Sequence, residues 1–554
     1  MLRRNLFAAL SLLVAIATMA PVVDAQAPAA APVIKTTITG FIDNMSTYSR
    51  NVSNADGIFN RQDKQWYART RGRFDIIGEV GSAKGVFGFE IDEVWGQAGS
   101  GGSTIANAGA ASAVPVATQF GTSGSWGLNT DTRGIVEVKW VYVEFPAPLI
   151  PVPTIMRLGA QPFGTAASYK LATYANGDFA GVNLYSTVTP GLKFQATYAQ
   201  VEENLVGTGT SNGLSGPLGY TGATANNQNR GDDFAYILSP EFTPMKGLDI
   251  KPMFAHFYAS GTTGAARQGR GGLNTTTAFT NPDGTSHGRV NEDRFTVGVD
   301  ARYRMGPFSF DPSILYQFGN RDVFAPATFV PSGAIAGRKY NADIDAWLID
   351  LRAGFQLGPL LLQGLGVYTT GNSARNNTLN KVRYFQPLST DTSYLGDWGT
   401  QLTSLGLDYA QAMNEGGGRV AYSGTAIGWD KYGRIQLGAK ATYALTPALK
   451  VMAGVNGHWT AEGVDRGGTA VAGAGILPAF DRVSASPMSR RHSSYVGTEF
   501  MSVLSWNFAP GLAWDNAVGY MVMGPALDAI TDPAAGPRNT SDVSIVTSRV
   551  RFSF

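Results

Sequence analysis

From residue 35 to the C-terminus, the chain is a succession of stretches in which apolar and polar residues alternate one for one. In 191–201, Leu192, Phe194, Ala196 and Tyr198 fall on one face of an extended strand. Lys193, Gln195 and Thr197 fall on the other, because side chains of a strand alternate with a period of two. Residues 434–443 repeat the pattern, with Ile435, Leu437, Ala439, Ala441 and Tyr443 opposite Arg434, Gln436, Lys440 and Thr442. Between these stretches, short and long connections take strict turns. The short ones are 81–85, 146–153, 189–192, 243–248, 305–307, 358–359, 445–448 and 507–511, and several carry Gly-Pro or Pro-Gly-Leu, the chemistry of tight turns. The long ones are 50–64, 98–132, 162–176, 204–230, 260–291, 321–342, 371–432, 462–493 and 524–540, rich in Gly, Asn, Ser, Thr and Ala.

This alternation predicts an all-β chain of eighteen antiparallel strands with both ends on the same side. An even-stranded transmembrane β-barrel, with short turns at one rim and long loops at the other, requires that arrangement, and a propeller or sandwich does not. Sixteen strands is the nearest alternative, because 153–161 is a weak strand. Tyr142, Tyr198, Tyr303, Tyr443, Trp459 and Trp506 lie near strand ends and are expected in interfacial girdles.

Composition narrows the class. Glycine is abundant (68 residues), charge is only 15% and aromatics reach 11%, which suits turn-rich β-structure with an apolar outer band. No stretch of eighteen uninterrupted apolar residues follows the N-terminus, so helical spans are not expected. The chain has no cysteine, hence no disulfide and no thiolate metal site, and a net charge of +2 argues against a nucleic-acid binder. Arg3 and Arg4, the apolar run from Leu6 to Ala17 and the small residues at Val23 and Ala25 read as a secretion signal over 1–25. A flexible lead-in over 26–34 and the barrel over 35–554 complete the expected organisation.

If the apolar face is outside, the other face lines the interior. Residues 65–79 put Arg69, Arg71 and Arg73 there as a ladder, with Asp75 and Glu79. Arg157, Arg294, Arg302, Arg304, Arg352, Arg434, Lys440, Arg549 and Arg551 are further basic candidates, with Lys139, Lys193, Lys251 and Lys450. Glu90, Asp92, Glu137, Asp350 and Glu499, with Asp249 and Asp300, are the acidic ones, so cations outnumber carboxylates in this reading. A positive lumen with low-dielectric walls favours anions, and arginine rows bind carboxylates bidentately. The longest loop, 371–432, carries Tyr384, Phe385, Asp391, Asp397, Trp398 and Asp408, and is the expected constriction if it folds inward. Asp343 and Asp345 are read as solvated rather than metal-binding, and no cofactor is expected.

The closing stretch, Ser541 to Phe554, sets Val546, Val550, Phe552 and Phe554 opposite Ile545, Thr547, Arg549, Arg551 and Ser553. It resembles the C-terminal strand of outer-membrane β-barrels, in which the terminal aromatic motif (here Val550, Phe552 and Phe554) is read by the barrel assembly machinery. The whole chain after the leader is similar in pattern to bacterial outer-membrane porins. Arg157-Leu-Gly-Ala-Gln161-Pro-Phe163 with Asn176-Gly-Asp178-Phe-Ala-Gly-Val182 resembles alginate-export-type porins, as does Asp345-Ala-Trp347 leading through Gly358-Pro359-Leu360 to Gly366–Gly371. The resemblance implies an outer-membrane setting, contact with membrane lipid and lipopolysaccharide, and passage of small hydrophilic solutes, with homotrimer and monomer both open. It also implies an Arg-rich path for acidic sugars as the narrower reading.

An enzyme is disfavoured. None of the four histidines, His256, His287, His458 and His492, has a Ser or carboxylate at a telling spacing, and neither G-x-S-x-G nor H-E-x-x-H occurs. A plugged receptor barrel needs a globular segment ahead of the first strand, and alternation begins at Lys35. A non-conducting structural barrel is the remaining alternative, set against the wide interior that eighteen strands enclose.

Overall fold

The structure, a computed structural model, describes residues 34–51, 64–95, 136–162, 174, 178–202, 233–261, 290–324, 339–372, 380–388, 398, 433–464, 493–525, 529–532, 536–538 and 541–554. The expected leader, 1–25, and residues 26–33 lie outside them. No helix among them is long and apolar enough to cross a membrane, which says nothing about crossing by strands.

Hairpins account for nearly all of the described residues. In order they are β1 (Ile34–Arg50) with β2 (Lys64–Val80), β3 (Ala83–Val94) with β4 (Val136–Pro146), and β5 (Thr154–Pro162) with β6 (Asp178–Thr189). Next come β7 (Leu192–Glu202), β8 (Asp233–Met245), β9 (Leu248–Gly261), β10 (Val290–Met305), β11 (Phe308–Phe324), β12 (Lys339–Leu357) and β13 (Leu360–Thr369). A two-residue strand, β14 (Lys381–Val382), precedes β15 (Arg434–Ala444), β16 (Leu449–Val464), β17 (Ser493–Ala509) and β18 (Leu512–Met523). A small separate hairpin, β19 (Ala529–Asp532) and β20 (Gly536–Arg538), leads to β21 (Val543–Ser553).

Each long strand pairs antiparallel with its neighbours in sequence, and β21 closes the sheet onto β1, with Asp43 opposite Arg551 and Tyr48 opposite Val546. The result is a closed barrel of 18 strands, to which β14 is added at the loop rim alongside β12. Closure is what a bilayer demands: a backbone N–H or C=O facing hydrocarbon has no water to bond, so every edge must find a partner within the chain. At the opposite rim, Gly306-Pro307 and Gly358-Pro359 make two of the short turns. Both glycines have a φ of 55°, which a side chain resists and glycine adopts freely.

The faces separate as a membrane barrel requires. On β21, Val546, Val550, Phe552 and Phe554 are 39–49% exposed on the outside, whereas Ile545 and Thr547 are buried within. Aromatic contacts mark two outer girdles. Trp506, Phe508 and Trp514 form one near the short turns, and Tyr198, Phe234, Tyr236 and Tyr258 form another near the loops.

Tyr142 departs from the expected girdle. A β-bulge opposite Gly88 and Phe89 inserts one extra residue into β4, so every later side chain on that strand changes face. Tyr142 and Glu144 therefore point inward. Gly88 makes this possible: a Cβ there would overlap the Trp140 indole, whose Nε1 reaches across it to donate to Asp75 at 2.8 Å. Arg321, expected in a loop, instead lies on β11 with its side chain inside.

Leu437 stands on the outer face between the girdles. Leu437→Arg is expected to cost about 2–4 kcal/mol, read as a lower urea midpoint for the barrel refolded in lipid vesicles. An unchanged midpoint would contradict the outward assignment.

Candidate functional site

Two unlike walls face each other across the barrel interior. The first runs through β21, β1, β2, β3, β4 and β5 and is charged. Register sets it out: Asp43 lies opposite Arg71 on one side and Arg551 on the other, and Arg73 lies opposite Glu90. Asp43 is buried and takes both Arg69, at 3.5 Å, and Arg551, at 2.5 Å. Glu90, also buried, takes Arg71 at 3.4 Å, Lys139 at 3.6 Å and Arg73. Arg549 pairs with Asp515 at 2.7 Å. The Phe41 ring lies beneath the guanidiniums of Arg551 and Arg73, at 4.1 and 5.9 Å. On β5, Arg157 holds Glu144 at 2.6 Å and stacks over Tyr142 at 4.6 Å.

This wall corrects the simple inventory of cations. Asp43, Glu144, Glu292, Asp311 and Asp515, outside the acidic candidates above, each hold one of the predicted arginines. Near the short turns, Arg302 binds Asp249 at 2.7 Å, Arg304 binds Asp311, and Arg352 binds Asp350 at 3.1 Å. The cations are consequently gathered round cross-strand carboxylates: Arg69 and Arg551 meet at Asp43, and Arg71, Arg73 and Lys139 at Glu90.

The second wall carries an apolar patch among its polar residues. Ile237, Met253, Ala255, Leu315, Ala346, Leu348, Leu365 and Val367, on β8, β9, β11, β12 and β13, are buried on the inner face, against the expectation of a polar lining. Their cover comes from two loops. Tyr174, between β5 and β6, and Phe385, Leu388 and Trp398, between β13 and β15, pack on them inside the barrel. Burial pushes the Tyr174 phenol above its ordinary range, so it is a neutral hydroxyl.

The chain from residue 380 is threaded inward by identifiable bonds. Lys381–Val382 pairs with Asp343–Ile344 of β12, and Lys381 meets Asp345 at 2.8 Å. Asn372 braces the descent, donating to the Lys381 carbonyl and accepting from the Arg383 N–H, both at 2.7 Å. Gln317 of β11 then grips the backbone of Gln386 twice, accepting from its N–H and donating to its carbonyl, each at 2.8 Å. The Gln386 side-chain oxygen accepts from Arg321 at 3.1 Å and Arg294 at 3.3 Å, while Arg321 also donates to the Tyr384 hydroxyl. Arg294 is paired with Glu292 at 2.6 Å, and both side chains are fully buried. The Leu388 N–H donates to the Tyr174 carbonyl at 2.8 Å, joining the two loops. Trp398 lies farther round: its carbonyl accepts from Asn456, and Lys440 stands 4.4 Å over its ring.

Of the remaining predicted residues, Glu499 is buried against His458 at 3.3 Å, and Arg434 is buried at the loop end of β15. Val550, Phe552 and Phe554 are on the outer face. Asp391, Asp397 and Asp408 lie outside the described residues, as do the side chains of Asp92 and Glu137. Among the described residues, no cluster of three or more His, Asp or Glu side chains suits a metal ion. Tyr174, Gln317, Arg321 and Gln386 were not singled out from sequence; only Arg321 and Gln317 carry a signal there, since they share the inward parity of β11.

A closed eighteen-stranded antiparallel barrel, apolar and aromatic outside and charged within, is the architecture of bacterial outer-membrane porins. No protein-family model matches the chain, and no curated protein matches it significantly. Solved structures are similar to it at low identity over almost its whole length. OccK8 (OprE) of Pseudomonas aeruginosa is 9% identical, covering 94% of this chain and 98% of that one, with a TM-score of 0.45. A BenF-like porin from Pseudomonas fluorescens Pf-5 is 10% identical, with the same coverages and a TM-score of 0.45. The outer membrane channel DcaP of Acinetobacter baumannii is 11% identical, covering 94% and 97%, with a TM-score of 0.36.

Glu292→Gln removes the negative partner of a fully buried arginine. It is expected to destabilise the barrel by about 3 kcal/mol and to open the inserted segment to trypsin at Lys381 and Arg383. Unchanged stability and an unchanged digestion pattern would contradict the described packing.

Proposed function

We propose that this protein is a passive outer-membrane channel for small hydrophilic solutes and that it favours anions. The observation that carries the reading is the sharing of carboxylates on the charged wall. Arg69 and Arg551 divide Asp43, and Arg71, Arg73 and Lys139 divide Glu90. Five cations thus gather along one stretch of wall, on neighbouring strands. A passing anion meets guanidiniums already oriented by register, in a channel whose low-dielectric walls strengthen the attraction. Planar N–H forks match carboxylate geometry, so small carboxylates and acidic sugars are the solutes this wall suits best.

The inserted segment supplies the second half of the mechanism. It occupies the side away from the arginine ladder and narrows the path toward it, so solutes of limited width travel along the cations. Glu292, Arg294, Arg321 and Gln386 hold the insert in place, and Arg69, Arg71, Arg73 and Arg551 set the charge preference. No bond is made or broken in this role. Solute moves down its own gradient.

Two measurements in planar bilayers test the parts separately. Replacing Arg69, Arg71 and Arg73 together by Ala is expected to lower the chloride-to-potassium permeability ratio several-fold, read as a shift of reversal potential in a KCl gradient. No shift would remove the charged wall from the account. Deleting 376–415 is expected to raise single-channel conductance, and an unchanged conductance would refute the insert as a constriction.

A further inference from the structure

We propose that the barrel holds a second solute site, for the hydroxyl groups of an uncharged sugar, at Gln436, Asn456 and Trp398 on the inner wall of β15 and β16. Register brings these residues together. Gly438 lies opposite Asn456, and Gln436, one inward step nearer the loops, lies opposite His458. Gln436 and Asn456 are thus diagonal neighbours on one face, within reach of a common ligand. Trp398 lies over the same spot. Its carbonyl accepts from Asn456 Nδ2 at 3.4 Å, and a Cβ at Gly438 would stand 3.3 Å from its Cε3 while overlapping Asn456 Oδ1. Glycine at 438 therefore lets the indole and the amide approach the wall together.

All three side chains are at most 1% exposed, yet their polar atoms are left over. Gln436 Oε1, Gln436 Nε2, Asn456 Oδ1 and Trp398 Nε1 have no hydrogen-bond partner among the described residues. An unbonded amide in a dry place is costly, and a leucine of similar size at 436 would avoid that cost. The charged neighbours are engaged elsewhere. His458 is turned to Glu499 at 3.3 Å, and Lys440 lies over the face of the indole at 4.4 Å, away from its N–H.

The orphaned atoms choose the ligand. They are two acceptor oxygens and two donor nitrogens, and none carries a formal charge. A carboxylate only accepts, so it would leave both oxygens unserved. An ammonium only donates, so it would leave the N–H groups unserved. A hydroxyl does both, and several hydroxyls on one ring reach several of these atoms at once. The indole adds a flat apolar face for the C–H side of a sugar ring. No hydrogen bond at Nε1 holds the indole in place, so the ring swings off Gly438 to admit the sugar and then lies against it. The site uses none of the charged-wall residues and does not rest on the anion preference.

Saturation-transfer NMR on the full-length barrel in a sugar-free detergent, with D-glucose as the probe, tests the site without requiring conductance. The wild type is expected to give a transfer signal that saturates with glucose. Gln436→Leu and Asn456→Leu are each expected to weaken glucose binding roughly tenfold. Gln436→Leu is also expected to raise the urea midpoint in lipid vesicles, because it removes a buried amide that lacks a partner; the same measurement shows that the variant folds. Replacing Arg69, Arg71 and Arg73 together by Ala is expected to leave the glucose signal in place, so the charge reading can fail while this one stands. No saturable signal from the wild type would mean that the orphaned atoms hold water only, and would overturn the proposal. So would an unchanged signal in the leucine variants, a lower urea midpoint for Gln436→Leu, or loss of the signal in the arginine variant.

Discussion

The constraint on which everything else depends is the peptide group in hydrocarbon. Each N–H and C=O along a membrane-crossing strand must be bonded within the protein, and a sheet achieves that only by closing. The pairing of β21 with β1 is therefore the decisive contact. Once it forms, parity assigns side chains to lipid or lumen except where a bulge shifts it. It also places Arg549 and Arg551 beside Asp43 and the arginines of β2, although they lie some five hundred residues apart in sequence. The charged wall is thus a product of closure: no local segment contains it.

The interior then solves two different problems. Cations on adjacent strands would repel one another, and cross-strand carboxylates at Asp43, Glu90, Glu144 and Asp515 hold them together. The opposite wall holds an apolar patch that needs cover, which the inserted loops supply through Tyr174, Phe385 and Trp398. The insert brings backbone groups into a dry place, and Gln317 and Asn372 are positioned to bond them. A buried ion pair such as Arg294 with Glu292 adds little net stability against an apolar pair of the same shape. Its effect is to fix where the loop sits, because Gln386 has partners at one place only.

The strand pattern was legible because lipid on one side and the lumen on the other enforce period two, and glycine and proline mark the turns. The eighteen strands, the short turns and the outward face of β21 all follow from that. Three features were hidden for definite reasons. Tyr142 changed face through a bulge, which parity counting cannot foresee, since Gly88 and Trp140 meet only across two strands. Part of the inner wall of β8 to β13 is apolar on the face expected to be polar, and loops cover it there. Partners such as Glu292 and Gln386 belong to a network assembled from β10, β11 and a distant loop, and no spacing in the chain announces it.

The reversal potential of the purified wild-type barrel in a planar bilayer, with asymmetric potassium chloride, tests the central claim most directly. Steady conductance is expected, with a potential whose sign shows chloride more permeant than potassium. A potential of the opposite sign would contradict the role given to the arginine wall, and the absence of conductance would contradict the channel itself.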